Sequence, residues 1–168
     1  MMTTAEPTKN EKVGAIEHVV YEYANLMAAA FYSTHGAAPW RTNCDDAFLL
    51  GYRKLGDFLL NDPPRYKDDV LALDYVPAGA PTARTWSLAT WSQEWRGQMN
   101  KQLTHIAYER VRHPKEWDHR KWNQQLEKEF RDAWKLFLDA VIDADFKAEY
   151  DRQIAHCRAK TSFSSIVL

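Results

Sequence analysis

The chain has little of what many catalytic scaffolds lean on: six glycines, two cysteines and a formal charge of −1 in 168 residues. With so few glycines, a loop that cradles phosphate through its backbone is not expected. A serine-hydrolase elbow, a phosphate-binding glycine loop and a dinucleotide fingerprint are all absent. Cys44 and Cys157 stand alone, without a CxxC spacing. They read as free, buried thiols of a reducing compartment, and they do not build a zinc site. No apolar run approaches the roughly 18 residues that a membrane span needs. The opening MMTTAEPTKNEK is polar and lacks the apolar core of a secretory signal. These features point to a cytoplasmic protein with no membrane contact. A charge near zero supplies no global field toward nucleic acid or membrane.

What is abundant is aromatic: seven Trp, eight Tyr and seven Phe. Such side chains contribute heavily to cores and interfaces, and exposed ones can stack on bases. Core and oligomer packing is the simpler use, and the Trp86, Trp91, Trp95 series fits it. At 45% hydrophobic residues the chain can bury one sizeable core.

Residues 1–10 read as a flexible tail, residues 11–160 as a single helical domain and residues 161–168 as a second tail. From Glu11, Val13, Ile16, Val20, Tyr23, Leu26, Met27, Ala30 and Phe31 recur at helical spacing, with Gly36 as the stop. A second helix carries Phe48, Leu49, Tyr52, Leu55, Phe58 and Leu59 and ends before Asp62-Pro63-Pro64. Thr42 or Asn43 is its expected cap, with Asp45 and Asp46 in the first turn. Residues 63–84 form a long irregular connector, in which 68–76 fit either a short helix or an extended stretch. A third helix is expected over 85–113, with Leu88, Trp91, Trp95, Met99, Leu103 and Ile106 on its buried stripe. A fourth starts near Trp117 and carries Trp122, Leu126, Phe130, Trp134, Phe137, Leu138, Val141 and Ile142. An extension to about Arg158, straight or bent, fits its pattern. With no alternating strand pattern, the class is all-α, a four-helix-bundle-like single domain.

Chemistry is hinted at in one place. On the expected third helix Glu94, Gln98, Lys101, His105, Glu109 and Arg112 share a narrow band, beside the apolar stripe. A histidine at such an edge can act as general acid or base near neutral pH. From Glu94 to Trp122 there are seven Lys and Arg against four Asp and Glu, and from Glu127 to Asp151 eight acids against four bases. The basic part surrounds His105. A solvated helix face accounts for this as well as an RNA groove does.

The stretch Met99-Asn100-Lys101-Gln102-Leu103-Thr104-His105 resembles the signature helix of the HEPN superfamily, with wording similar to its abortive-infection branch. That family carries an arginine, a small polar residue and, about a turn later, a histidine. The resemblance maps the polar position onto Asn100 and the histidine onto His105, and puts Met99 where the arginine belongs. It implies a helical protein acting on RNA or in defence, catalytically weak or inactive for want of that arginine, and a homodimer whose motif helices meet. If active, it would be a metal-independent endoribonuclease without a cofactor, with Arg96 or Lys101 supplying the missing charge. Some members carry a modifiable tyrosine two residues after the histidine, whereas Tyr108 comes three after.

Two other classes remain open. One is a non-enzymatic module that binds a partner protein through an aromatic face, with His105 structural. The other is a metal-dependent bundle hydrolase, for which His18, His35, His105 and His156 are the scattered candidates. The run from His113 through Glu116 to His119 contains one ExxH pattern across a proline, where a di-iron bundle needs two such helices. Asp118 or His119 is better read as a helix start.

Overall fold

A computed structural model describes residues 7–37, 40–60, 69–77 and 119–160. The described residues form four helices and no strand: α1 (Lys9–His35), α2 (Trp40–Leu60), α3 (His119–Ala140) and α4 (Ala144–Lys160). The all-α, four-helix-bundle-like class is therefore what the structure shows, although its helices are divided differently from the expected set. The expected helix over 85–113 lies outside the described residues. The expected fourth helix is two, α3 and α4.

α1 begins at Lys9 because Thr8 and Glu11 cap it reciprocally. The Glu11 amide donates to Thr8 Oγ1 at 3.3 Å and the Thr8 amide donates to Glu11 Oε2 at 2.7 Å. At its other end Gly36 is extended, with φ −71° and ψ 154°, and its amide donates to the Tyr32 carbonyl at 2.8 Å. The glycine is needed there for space, since a Cβ would collide with that same carbonyl oxygen.

α2 starts three residues ahead of Asn43, so Thr42 and Asn43 lie inside its first turn and do not precede it. Asp45, expected in the first turn, falls beyond it and is buried. Its stripe of Phe48, Leu49, Tyr52, Leu55, Phe58 and Leu59 is buried throughout, as its spacing implies.

The connector contributes a short 3₁₀ turn, Ala72–Tyr75, closed by the Asp74 amide on the Leu71 carbonyl and by the Leu71 amide on Asp74 Oδ2. Leu71, Ala72 and Tyr75 pack inward.

α3 and α4 are separated by Val141-Ile142-Asp143. The Asp143 carboxylate accepts from the Phe146 amide at 2.9 Å, which makes Asp143 the cap of a new helix. Val141 stays in the core, while Ile142, expected on the buried stripe, is 72% exposed because the chain has left the helix there.

The directions follow from the cross-helix contacts. Lys54 pairs with Glu22, and Asp45 bonds Ser33, so α2 runs antiparallel to α1. Tyr23 meets Trp134 and Ser33 meets Asn123, so α3 is also antiparallel to α1. Phe137 packs on Phe146 and Trp134 on Tyr150, which folds α4 back along α3 and parallel to α1. α1 thus touches all three other helices. The core between them is largely aromatic. Tyr23 stacks on Trp134 with centroids 4.4 Å apart and planes 7° from parallel, and Phe137 meets both Phe58 and Phe146 edge-on. Such geometry adds roughly 0.5–1.5 kcal/mol per pair beyond the area buried.

Candidate functional site

The residues that carry the sequence's chemical hint, His105, Asn100, Arg96 and Lys101, lie outside the described residues, as do Met99, Tyr108, His113 and Glu116. The polar chemistry of the described residues is found in two other places.

The first is a buried cluster with one side chain from each of α1, α2 and α3. Ser33, Asp45 and Asn123 are 0%, 7% and 1% exposed. The Ser33 hydroxyl donates to Asp45 Oδ1, and the Asn123 amide donates to Ser33 Oγ and to Asp45 Oδ1, each at 2.8 Å. The carboxylate oxygen therefore collects two donors, which sets the orientation of the Asn123 amide. Among the described residues Asn123 Oδ1 accepts no hydrogen bond. The Ser33 hydroxyl is closed off from solvent, so no substrate reaches it. The cluster's work is to tie three helices at one end of the bundle.

The second place is a cleft of about 230 Å³ between the start of α1, the 3₁₀ turn and the α3–α4 junction. Ile16, Tyr75 and Phe146 form its apolar side, with Lys12, Asp74 and Asp143 around it. Its polar groups are already engaged. Lys12 Nζ donates to the Asp74 carbonyl at 3.3 Å, and the Tyr75 hydroxyl donates to the Lys12 carbonyl at 2.9 Å. Burial, followed by the neighbouring Asp74 charge, raises the Tyr75 phenol well above its usual range, so it stays protonated. Lys9, also on this cleft, is ion-paired with Asp145. The balanced charges favour neither anion nor cation, and the volume is below the roughly 300–1,000 Å³ of ordinary ligand sites.

The remaining sequence candidates are dispersed. His18, His35 and His156 are exposed, and among the described residues no group of three His, Cys, Asp or Glu side chains is placed to hold a metal ion. His35 stacks on Phe31 one turn back on the same helix, with centroids 4.5 Å apart. Cys44 and Cys157 are thiols and only half-buried. Burial and then the adjacent Asp45 charge push the Cys44 thiol up, away from the reactive thiolate. Among the described residues no helix is long and apolar enough to cross a membrane.

Comparison with protein families, with characterised proteins and with solved structures finds no match to this chain.

Proposed function

We propose that the chain is a HEPN-like helical protein directed at RNA, associated with defence, and weak or inactive as a nuclease. The observation that carries this reading is Asn100 and His105 on one amphipathic stretch, with Met99 in the place of the motif arginine. Metal-independent RNA cleavage needs a group to move a proton at the attacking 2′-hydroxyl and a cation to steady the phosphate. His105 fills the first role, and Asn100 positions the phosphate. Met99 cannot grip an anion, so the charge falls to Arg96 or Lys101. Loss of such a contact removes several kcal/mol of transition-state stabilisation, which is why binding outlasts catalysis in this account. An all-α bundle is the frame that the resemblance calls for, and the excess of Lys and Arg around His105 suits a phosphate backbone as well as it suits a solvated face. The same resemblance supports a homodimer, and the isolated cysteines favour a reducing, cytoplasmic location.

Fluorescence anisotropy with a labelled single-stranded RNA tests the binding half. The wild type should bind with a salt-dependent affinity, and the Arg96→Ala, Lys101→Ala double variant should bind about ten-fold more weakly with a shallower salt slope. No binding by the wild type at low salt would reject RNA as the partner.

A further inference from the structure

The hydrogen bonds of the polar cluster where α1, α2 and α3 meet leave two things unbalanced. One is a lone pair. Asn123 is 1% exposed, and its Oδ1 has no donor among the described residues. Turning the amide over brings no relief, since its oxygen would then face the Asp45 carboxylate and the Ser33 Oγ at the 2.8 Å now held by the nitrogen. A buried acceptor left without a donor carries its full desolvation penalty.

The other is a charge. Asp45 is 7% exposed, and its partners among the described residues are the Ser33 hydroxyl and the Asn123 amide, both neutral. It is the sixth residue of α2, beyond the first turn whose free amides would balance a carboxylate. The nearest cation of α2 to be paired, Lys54, goes to Glu22, and Arg131 of α3 goes to Glu127. Buried carboxylates are ordinarily paired with a cation or bound to a metal.

An orphan acceptor alone calls for a water, and a buried charge alone calls for a lysine or arginine. The two together call for a ligand that is positive and takes oxygen lone pairs. The donor set narrows its class. Ser33 Oγ, the Asp45 carboxylate and Asn123 Oδ1 are oxygens, with no imidazole or thiolate among them, which suits a hard ion and not zinc or copper. Calcium sites gather several carboxylates and magnesium keeps much of its water, whereas one buried carboxylate balances a single charge.

We propose that this cluster binds an alkali cation, sodium or potassium, through the Asp45 carboxylate and Asn123 Oδ1. The ion adds a link between α2 and α3, so the stability of the bundle depends on which salt is present and not only on how much. The site is independent of the RNA reading. Thermal unfolding of the full chain at one ionic strength, with choline chloride replaced stepwise by sodium or potassium chloride, tests it. A ligand bound by the folded state alone raises Tm with its concentration. The midpoint should climb by about 3 °C and level off, and the better ion of the two identifies the natural occupant. Asp45→Asn keeps the shape and loses the charge, and should erase the rise. Sodium and thallium magnetic resonance, with thallium(I) standing in for potassium, reads the wild type directly and should show a bound ion for at least one of them. Equal midpoints in choline, sodium and potassium chloride, a rise that survives Asp45→Asn, or no bound ion of either kind would each overturn the proposal.

Discussion

Asn123 of α3 donates its amide to the Asp45 carboxylate of α2 at 2.8 Å, in a place where both side chains are buried. The bond fixes the axial register of two helices that are separated in sequence by the whole connector. Asn123→Ala removes the donor and leaves Asp45, among the described residues, with the Ser33 hydroxyl. Hydrogen bonds to a charged group contribute roughly 1.5–3 kcal/mol, so urea denaturation should show a loss of about 2 kcal/mol. Loss below about 0.5 kcal/mol would mean that water reaches the carboxylate easily. Asn123→Asp should be worse, since it sets a second carboxylate against the first.

Trp134 lies at the centre of the core, stacked on Tyr23 and beside Phe58, Phe130 and Phe137. Trp134→Ala should cost about 3–5 kcal/mol, enough to unfold much of the population of an ordinary domain. Trp134→Phe keeps an aromatic partner for Tyr23 and should cost distinctly less. Thermal unfolding followed by far-ultraviolet circular dichroism separates the two.

Thr8 satisfies the α1 start together with Glu11. Thr8→Ala should lower stability by about 1 kcal/mol, and Thr8→Ser should recover most of it. Amide exchange at the first turn of α1 should rise in the alanine variant alone.

Glu149 accepts from Arg152 and Gln153, and these bonds, with Arg152 first, lower its pKa from 4.5 to about 2. A carboxyl whose pKa is lowered on folding stabilises the folded state above its unfolded value, and loses that contribution as pH falls. The window here is roughly pH 4.5 down to 2. Arg152 is 63% exposed, so screening by solvent keeps the effect small. Arg152→Ala should therefore cost this small contribution in full at pH 7, and the two proteins should converge in stability as pH falls from about 4.5 to 2.

The stripes of α1 and α2 are legible in the sequence because an apolar residue every three or four positions has few other uses. Ile16, Val20, Tyr23, Leu26, Met27 and Ala30 are buried as that period requires. The cap at Thr8 is also written there, as Thr-x-x-Glu before an apolar run, although the helix reads most readily from Glu11. The break at Val141–Asp143 is harder to see, because Val141 and Ile142 continue the period while Asp143 ends it by capping α4. The buried polar cluster carries a subtler signal. Ser33 stands three residues beyond Ala30, Asp45 three before Phe48 and Asn123 three before Leu126, each a polar residue in an apolar register. A helix period assigns such residues to the core, but which of them meet is decided by helix directions that the period does not contain. Asp45 reads as a first-turn acid only as long as the stripe of α2 starts at Phe48. For His105, Asn100, Arg96 and Lys101 the sequence remains the whole basis of the reading, since all four lie outside the described residues.

The most direct measurement is cleavage of a single-stranded RNA in EDTA by the wild type, by Met99→Arg and by Met99→Arg combined with His105→Ala. If Met99 stands where a phosphate-gripping arginine belongs, the wild type cuts slowly or not at all, and Met99→Arg raises the rate by roughly 100-fold. The added His105→Ala should then abolish the gain. A Met99→Arg protein that binds RNA no better and cuts no faster than the wild type would contradict the account and leave His105 as a packing residue.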